Sequence, residues 1–239
     1  MKTGSIILIV IISISVPLSA QWASFELDNI DSEQFQQQVE PFIKTISLSA
    51  NRHFFNPINI NKRINIGVAY SHGINLSGEK YSTDLMGGYP NLAGALIITQ
   101  NLSLKGNMSI FKSGSDLVQS FTYGFGLNIT NNDKNNWCFS VLFSKLPGPD
   151  DLKNKSTDAA LIKEFDFGSL PTFVGFGLNT YYTKILIEDV DTVPTFIKGN
   201  ANYLLFGAQL AKGKFTIIPI LQVNSDVVII SIEISRVFK

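Results

Sequence analysis

The stretch Arg63-Ile64-Asn65-Ile66-Gly67-Val68-Ala69-Tyr70-Ser71 places a large apolar residue at every even position and a polar or small one at every odd position. Successive side chains of a strand point to opposite faces, so this alternation predicts a β-strand with one greasy face. The same pattern returns at 102–110, 121–129 and 137–144, and weaker versions occupy 91–100, 157–167, 171–183, 201–211, 213–223 and 226–238. Turn-forming clusters separate many of these runs: Gln100-Asn101, Asn131-Asn132-Asp133, Pro147-Gly148-Pro149-Asp150, Lys212-Gly213 and Asn224-Ser225-Asp226. About ten short strands at hairpin spacing, without helices between them, predict an antiparallel meander rather than βαβ units.

The composition of the second face decides where the first one points. A soluble sandwich or lipocalin-like barrel buries its apolar face and covers the other with charge. Here the second face is Ser, Thr, Asn, Gly and Ala with a few charges such as Arg63, Lys105 and Glu233, and only 16% of the 239 residues are charged. A transmembrane barrel has this composition, with apolar residues toward lipid and a modestly polar interior. Runs of nine or more residues also match the roughly 9–11 needed to cross a bilayer at a tilt. The expectation is an all-β, antiparallel up-and-down transmembrane β-barrel of about 10–12 strands with a short N-terminal helix. A soluble secreted β-barrel or sandwich is the competing reading.

Other features place the chain outside the cytoplasm. Lys2, the apolar run from Ile6 to Val16 and the break Pro17-Leu18-Ser19-Ala20 have the form of a signal peptide. Cleavage is expected before Gln21, which leaves 18 basic against 19 acidic residues. That balance, with no basic block, argues against a nucleic-acid partner. Cys138 is the only cysteine, so the chain forms no internal disulfide; the alternation makes it a buried or lumen-facing small residue. After residue 21 no run of 18 apolar residues appears, so no transmembrane helix is expected.

One segment breaks the β pattern. Asp31 or Ser32 can cap a helix over 31–44 carrying Phe35, Val39 and Phe42 on one face, with Pro41 expected to end or kink it. The organisation predicted is therefore a signal peptide at 1–20, an N-terminal segment at 21–45 whose helix can plug or cap the lumen, and a barrel over 46–239. The final strand alternates Ile230, Ile232, Ile234 and Phe238 against Ser231, Glu233 and Ser235, with Arg236 on the apolar side and Lys239 following. It resembles the C-terminal signal of bacterial outer-membrane barrels, which implies outer-membrane lipid and the barrel-insertion machinery, acting through the strand ending at Phe238, as partners.

Gln38-Val39-Glu40-Pro41-Phe42 leading to Ser49-Ala50-Asn51, the stretch Tyr89-Pro90-Asn91-Leu92-Ala93-Gly94-Ala95-Leu96 and the Gly-rich strands carry a wider resemblance. With them the chain resembles an uncharacterised family of Gram-negative outer-membrane β-barrel-like proteins. It is more distantly similar to long-chain fatty-acid transporters, whose larger barrel carries an N-terminal hatch; the helix at 31–44 would be its counterpart. Neither resemblance carries catalytic residues to this chain.

Chemistry-bearing motifs are sparse. His53 and His72 are the two histidines, and no HExxH, GxSxG or GxxxxGK[ST] occurs. Both histidines read as loop or interfacial residues rather than ligands. The acidic runs Asp150-Asp151 and Glu188-Asp189-Val190-Asp191 lack EF-hand spacing and read as solvated loops. No enzymatic activity, metal or cofactor is expected. Gly-Phe-Gly-Leu-Asn occurs at 124–128 and 175–179 and reads as a shared local solution rather than a duplication. Parity assigns Arg63, Asn65, Lys105, Asn107, Asn128 and Asn179 to the lumen. Three functions remain open: a narrow channel or carrier for a small or apolar solute, a non-transport structural or partner-binding barrel, and a soluble periplasmic lipid-binding barrel.

Overall fold

The computed structural model describes residues 22–25, 27, 35–54, 63–76, 87–130, 135–187 and 193–238. One helix, α1 (Phe35–Ala50), precedes a meander of strands: β1 (Ile64–Asn75), β2 (Gly88–Ile97), β3 (Leu102–Ser113), β4 (Asp116–Asn128), β5 (Asn135–Leu146), β6 (Leu152–Phe167), β7 (Leu170–Ile185), β8 (Phe196–Ala208), β9 (Leu210–Lys212), β10 (Phe215–Val223) and β11 (Val227–Phe238). Each pairs antiparallel with the next except β8 and β9, which both pair with β10, and β11 returns to β1 from Ile64 opposite Phe238 to Asn75 opposite Val227. The sheet therefore closes on itself, which is how a β-structure satisfies its backbone in lipid.

The barrel has ten staves, because β8 and β9 are two halves of one. Gly207 opposite Ile220 and Leu210 opposite Ile217 share one register on β10. The ladder lapses beside Pro219, which has no N–H to give. On the other side Gln209 continues the pairing, its N–H reaching the Pro171 carbonyl at 2.8 Å.

The two mouths differ. The strand ends flanking 76–87 and 186–195, the turns 147–151 and 224–226 and the tight turn at Gly114 lie at one, here the loop mouth; the strand ends joined by the remaining connections, none longer than 129–134, lie at the other, the turn mouth, with the start of β1 and the end of β11. Gly168 and Gly213 each take a φ of 67° in two of the connections at the turn mouth, a conformation that favours glycine.

The faces are distributed as a membrane barrel requires. Val68 is 56% exposed and Phe176 55%, whereas Asn65 and Asn179 are fully buried. Apolar residues thus point outward and the small polar ones inward. That orientation removes the soluble lipid-binding reading, in which the apolar face would line the interior.

The interior is filled by α1. Gln36 and Gln37 of the first turn are exposed, but from Pro41 to Ala50 every residue except Lys44 is buried, so this part of the helix has no solvent face of the kind a surface helix keeps. It packs against β1–β4, β6–β8 and β11. Phe25, Phe35, Val39, Phe42, Tyr89 and Phe111 belong to an apolar cluster toward the loop mouth, where the Phe25 and Phe42 rings meet edge-on at 5.3 Å.

Several expectations need correction. The helix runs on to Ala50, and Pro41 lies within it rather than ending it, because the lumen wall supplies partners for the second half. Residues 46–50 thus belong to the helix, and the first barrel strand begins at Ile64. The proposed caps Asp31 and Ser32 lie outside the described residues, as does the signal segment 1–20. Strands β3 and β4 extend to a hairpin at Gly114 that the alternation does not reveal, and β6 starts at Leu152 rather than 157.

Candidate functional site: the plug and its lumen wall

The last turn of α1 ends inside the barrel, where its unpaired carbonyls need donors. The wall provides them. Asn91 Nδ2 donates to the Ser49 carbonyl at 3.2 Å, Thr122 Oγ1 to that of Ala50 at 2.8 Å, and Asn107 Nδ2 to that of Arg52 at 2.8 Å. Three strands thus cap one helix end.

Beyond the helix, Arg52 and His53 engage opposite sides of the wall. The Arg52 guanidinium is ion-paired with Glu233 of β11, both fully buried. Asp158 of β6 accepts from His53 Nε2 at 2.7 Å and from the Tyr203 hydroxyl at 2.8 Å. Its other oxygen accepts from Asn179 Nδ2 at 3.0 Å, and Ser47 of α1 donates to Asn179 Oδ1 at 2.7 Å. A buried carboxylate is tolerated only when paired and hydrogen-bonded in this way. Nearer the loop mouth, Lys44 is paired with Asp226 in the β10–β11 turn and with Glu40 at 3.1 Å. The hydrogen bond from Lys44 holds the Asp226 carboxyl below its ordinary range.

The repeated Gly-Phe-Gly-Leu-Asn acquires a physical reason. A Cβ on Gly126 would stand 2.8 Å from Lys105 Cε, and one on Gly177 2.1 Å from the Tyr203 ring. In each copy the second glycine leaves room for a large inward side chain on the neighbouring strand. Lys105, Asn128, Cys138 and Glu164 line a recess together.

Among the parity-assigned residues, Asn65, Lys105, Asn107 and Asn179 are buried inside the barrel, and Asn128 is half-buried, accepting from Asn136 at 3.3 Å. Asn107 and Asn179 both hold the plug, whereas Lys105 and Asn128 share the recess. Arg63 is a correction: it precedes β1, is exposed at the turn mouth, and offers its carbonyl to the Ile97 N–H at 2.9 Å. His53 does lie in the loop that follows α1, but it is fully buried there. His72 is half-buried and stacks on Tyr70 with ring centres 6.4 Å apart. Asp151 accepts from the Leu27 N–H at 2.7 Å, and 188–191 lies outside the described residues.

The closed sheet, its apolar exterior and its polar, plugged interior form one architecture. Its structural neighbours are outer-membrane β-barrels. An outer membrane channel from Pseudomonas putida F1 shares 12% identity with a TM-score of 0.43, the match covering 78% of this chain and 99% of that one. The translocator domain of the autotransporter NalP from Neisseria meningitidis matches at 8% identity and a TM-score of 0.42, over 86% of this chain and 96% of that one. The transport unit of the autotransporter AIDA-I from Escherichia coli matches at 12% and 0.37, over 84% and 98%. No protein-family model matches the chain, and no curated protein does. Among the described residues of this barrel, no group of three or more His, Cys, Asp or Glu is placed to hold a metal ion.

Proposed function

We propose that the chain, once residues 1–20 are removed, is a narrow outer-membrane channel for a small polar solute, closed in the described state by α1 and opened by its displacement. The reading is of a pore rather than an enzyme. The observation that carries it is the chemistry of the plug–wall contact. A filler meant to stay would be better built from apolar residues, because replacing buried ionic groups with well-packed apolar ones is often neutral or stabilising. Here the wall beneath the plug is Asn91, Asn107, Thr122, Asp158, Asn179 and Glu233. Once α1 leaves, such a wall is ready for water. Short turns are typically periplasmic in these barrels, so the loop mouth faces outward and α1 runs inward from it.

A covalent lock tests this. A Cβ built on Gly73 of β1 stands 3.3 Å from Thr45 Cβ of α1, close to the roughly 3.5–4.5 Å of a disulfide. In a Cys138→Ser background, Thr45→Cys with Gly73→Cys should be silent in planar bilayers when oxidised and should show openings when reduced. Equal conductance in both states would remove α1 as the gate.

The apolar cluster of Phe25, Phe35, Phe42 and Phe111 favours a second reading, a permanently filled structural or partner-binding barrel. No conductance in either redox state, with intact heat-modifiable mobility, would select it.

A further inference from the structure

The outward face of β5–β8 near the loop mouth departs from the apolar rule of the wall. Lys145, Lys153, Lys155, Lys184 and Lys198 are all exposed there. Register sets them in adjacent rows: Lys145 opposite Lys155, Lys155 opposite Tyr182 and Tyr182 opposite Lys198, then Lys153 opposite Lys184. Two of these are like-charge pairs directly across the ladder, which is destabilising unless counter-charge is supplied. Among the described residues no carboxylate lies within ion-pair distance of any of the five.

Ordinary snorkelling of interfacial lysines does not account for the asymmetry. Around the rest of the same mouth the outward positions include Ile74, Ile110, Leu117 and Leu221, with Lys112 among them. Just below the lysines the outer face carries Thr157, Thr180 and Asn200 in one row, and farther down Leu161, Phe176 and Leu204 in another. Tyr123, Phe143, Lys145, Lys155 and Tyr182 line a shallow groove, and Lys198 Nζ stands 5.1 Å from the centre of the Tyr182 ring.

We infer that this face binds a lipid whose phosphate-bearing headgroup has a net negative charge, drawn from the leaflet at the loop mouth. The phosphate meets the lysine rows, hydroxylated parts of the headgroup meet Thr157, Thr180 and Asn200, and the acyl chains lie along the apolar rows beneath. The inference is independent of whether the lumen conducts.

The test is native mass spectrometry of the full-length barrel in detergent, titrated with phosphatidic acid or phosphatidylcholine. Wild type should retain phosphatidic acid at about one-tenth the concentration it needs for phosphatidylcholine, as expected where several lysines meet an anionic headgroup. Lys145→Gln with Lys155→Gln should abolish the preference, Lys145→Arg with Lys155→Arg should restore it, and millimolar inorganic phosphate should not displace the lipid. Heat-modifiable mobility checks that each variant is folded. Equal retention of the two lipids by wild type overturns the inference, as does a Gln variant that keeps the preference or displacement by inorganic phosphate. Lysine-dependent binding of an acidic polypeptide without any lipid preference also overturns it.

Discussion

The Arg52 guanidinium, on the segment leaving α1, is ion-paired with the Glu233 carboxylate of β11, and both side chains are sealed from solvent. Removing one partner strands a buried charge, at a cost of about 3–5 kcal/mol. Arg52→Ala is therefore expected to loosen the plug, read as faster hydrogen exchange of the α1 amides. Arg52→Met combined with Glu233→Gln should restore much of the protection, since no lone charge remains. Unchanged exchange in Arg52→Ala would mean that the pair does not hold the plug.

Gly177 opposite Tyr203 is a steric joint with a polar consequence. A methyl group at 177 falls on the Tyr203 ring, which must move away from Asp158. Overpacking of this kind costs about 1–3 kcal/mol. Gly177→Ala should lower the thermal midpoint, and Gly177→Ala with Tyr203→Ala should cost less than the two single losses added together. Strict additivity in that cycle would show that the two positions do not touch.

The Lys44–Asp226 pair makes plug stability depend on pH. Asp226 has its folded pKa lowered, first by the hydrogen bond from Lys44. A lowered carboxylate contributes stability above its unfolded value and loses it as pH falls through the folded one. Protection of the α1 amides, measured as exchange relative to the intrinsic rate at each pH, should therefore fall as pH drops below the ordinary carboxylate range, and Asp226→Asn should flatten that part of the profile. The Asp226 side chain is one-third exposed, so the effect should shrink in high salt. A profile identical in Asp226→Asn would transfer the pH dependence to another group.

How much of this was legible in the sequence follows from the range of each interaction. Parity is local, so the alternation of Asn65 with Ile66 and Val68 was enough to orient β1 and, strand by strand, the barrel. The inward Asn107 and Asn179 were visible for the same reason, though their roles as holders of α1 were not. The plug network joins residues far apart: Arg52 to Glu233 spans 181 positions and His53 to Asp158 spans 105. No local pattern encodes such a pairing, and His53 in isolation reads as a loop residue. One signal was available, since Asp158 and Glu233 lie on inward-facing parity, where a carboxylate requires a buried partner. Helix length is not legible because Pro41 is a local breaker signal, whereas the burial of residues 41–50 inside the barrel, which carries the helix past it, is tertiary.

The outer belt offers a test of membrane placement. Phe176 lies between Leu161 and Leu204 on the outward face and is exposed. A lysine near the midplane of a barrel exterior costs about 2–4 kcal/mol. Phe176→Lys should refold poorly into vesicles, seen as loss of the heat-modifiable band, while Leu117→Lys near the loop mouth should refold almost normally. Equal refolding of both would place the belt outside the bilayer.

The seam between first and last strands separates two roles for Phe238. It lies opposite Ile64 at the turn mouth, and the Arg236 guanidinium stands 5.0 Å from its ring and 5.9 Å from that of Phe215. If the ring acts only by packing at the seam, Phe238→Ala lowers barrel stability wherever folding occurs. If it is the terminal aromatic read by insertion machinery, the loss appears only in cells. We expect the second outcome: much less heat-modifiable barrel in cell membranes, with spontaneous refolding into thin vesicles close to wild type. The exposed ring supports this, because an outward Phe at a barrel edge gives up little packing on truncation. An equal fall in both assays would leave Phe238 as a seam residue and remove the insertion machinery as its reader.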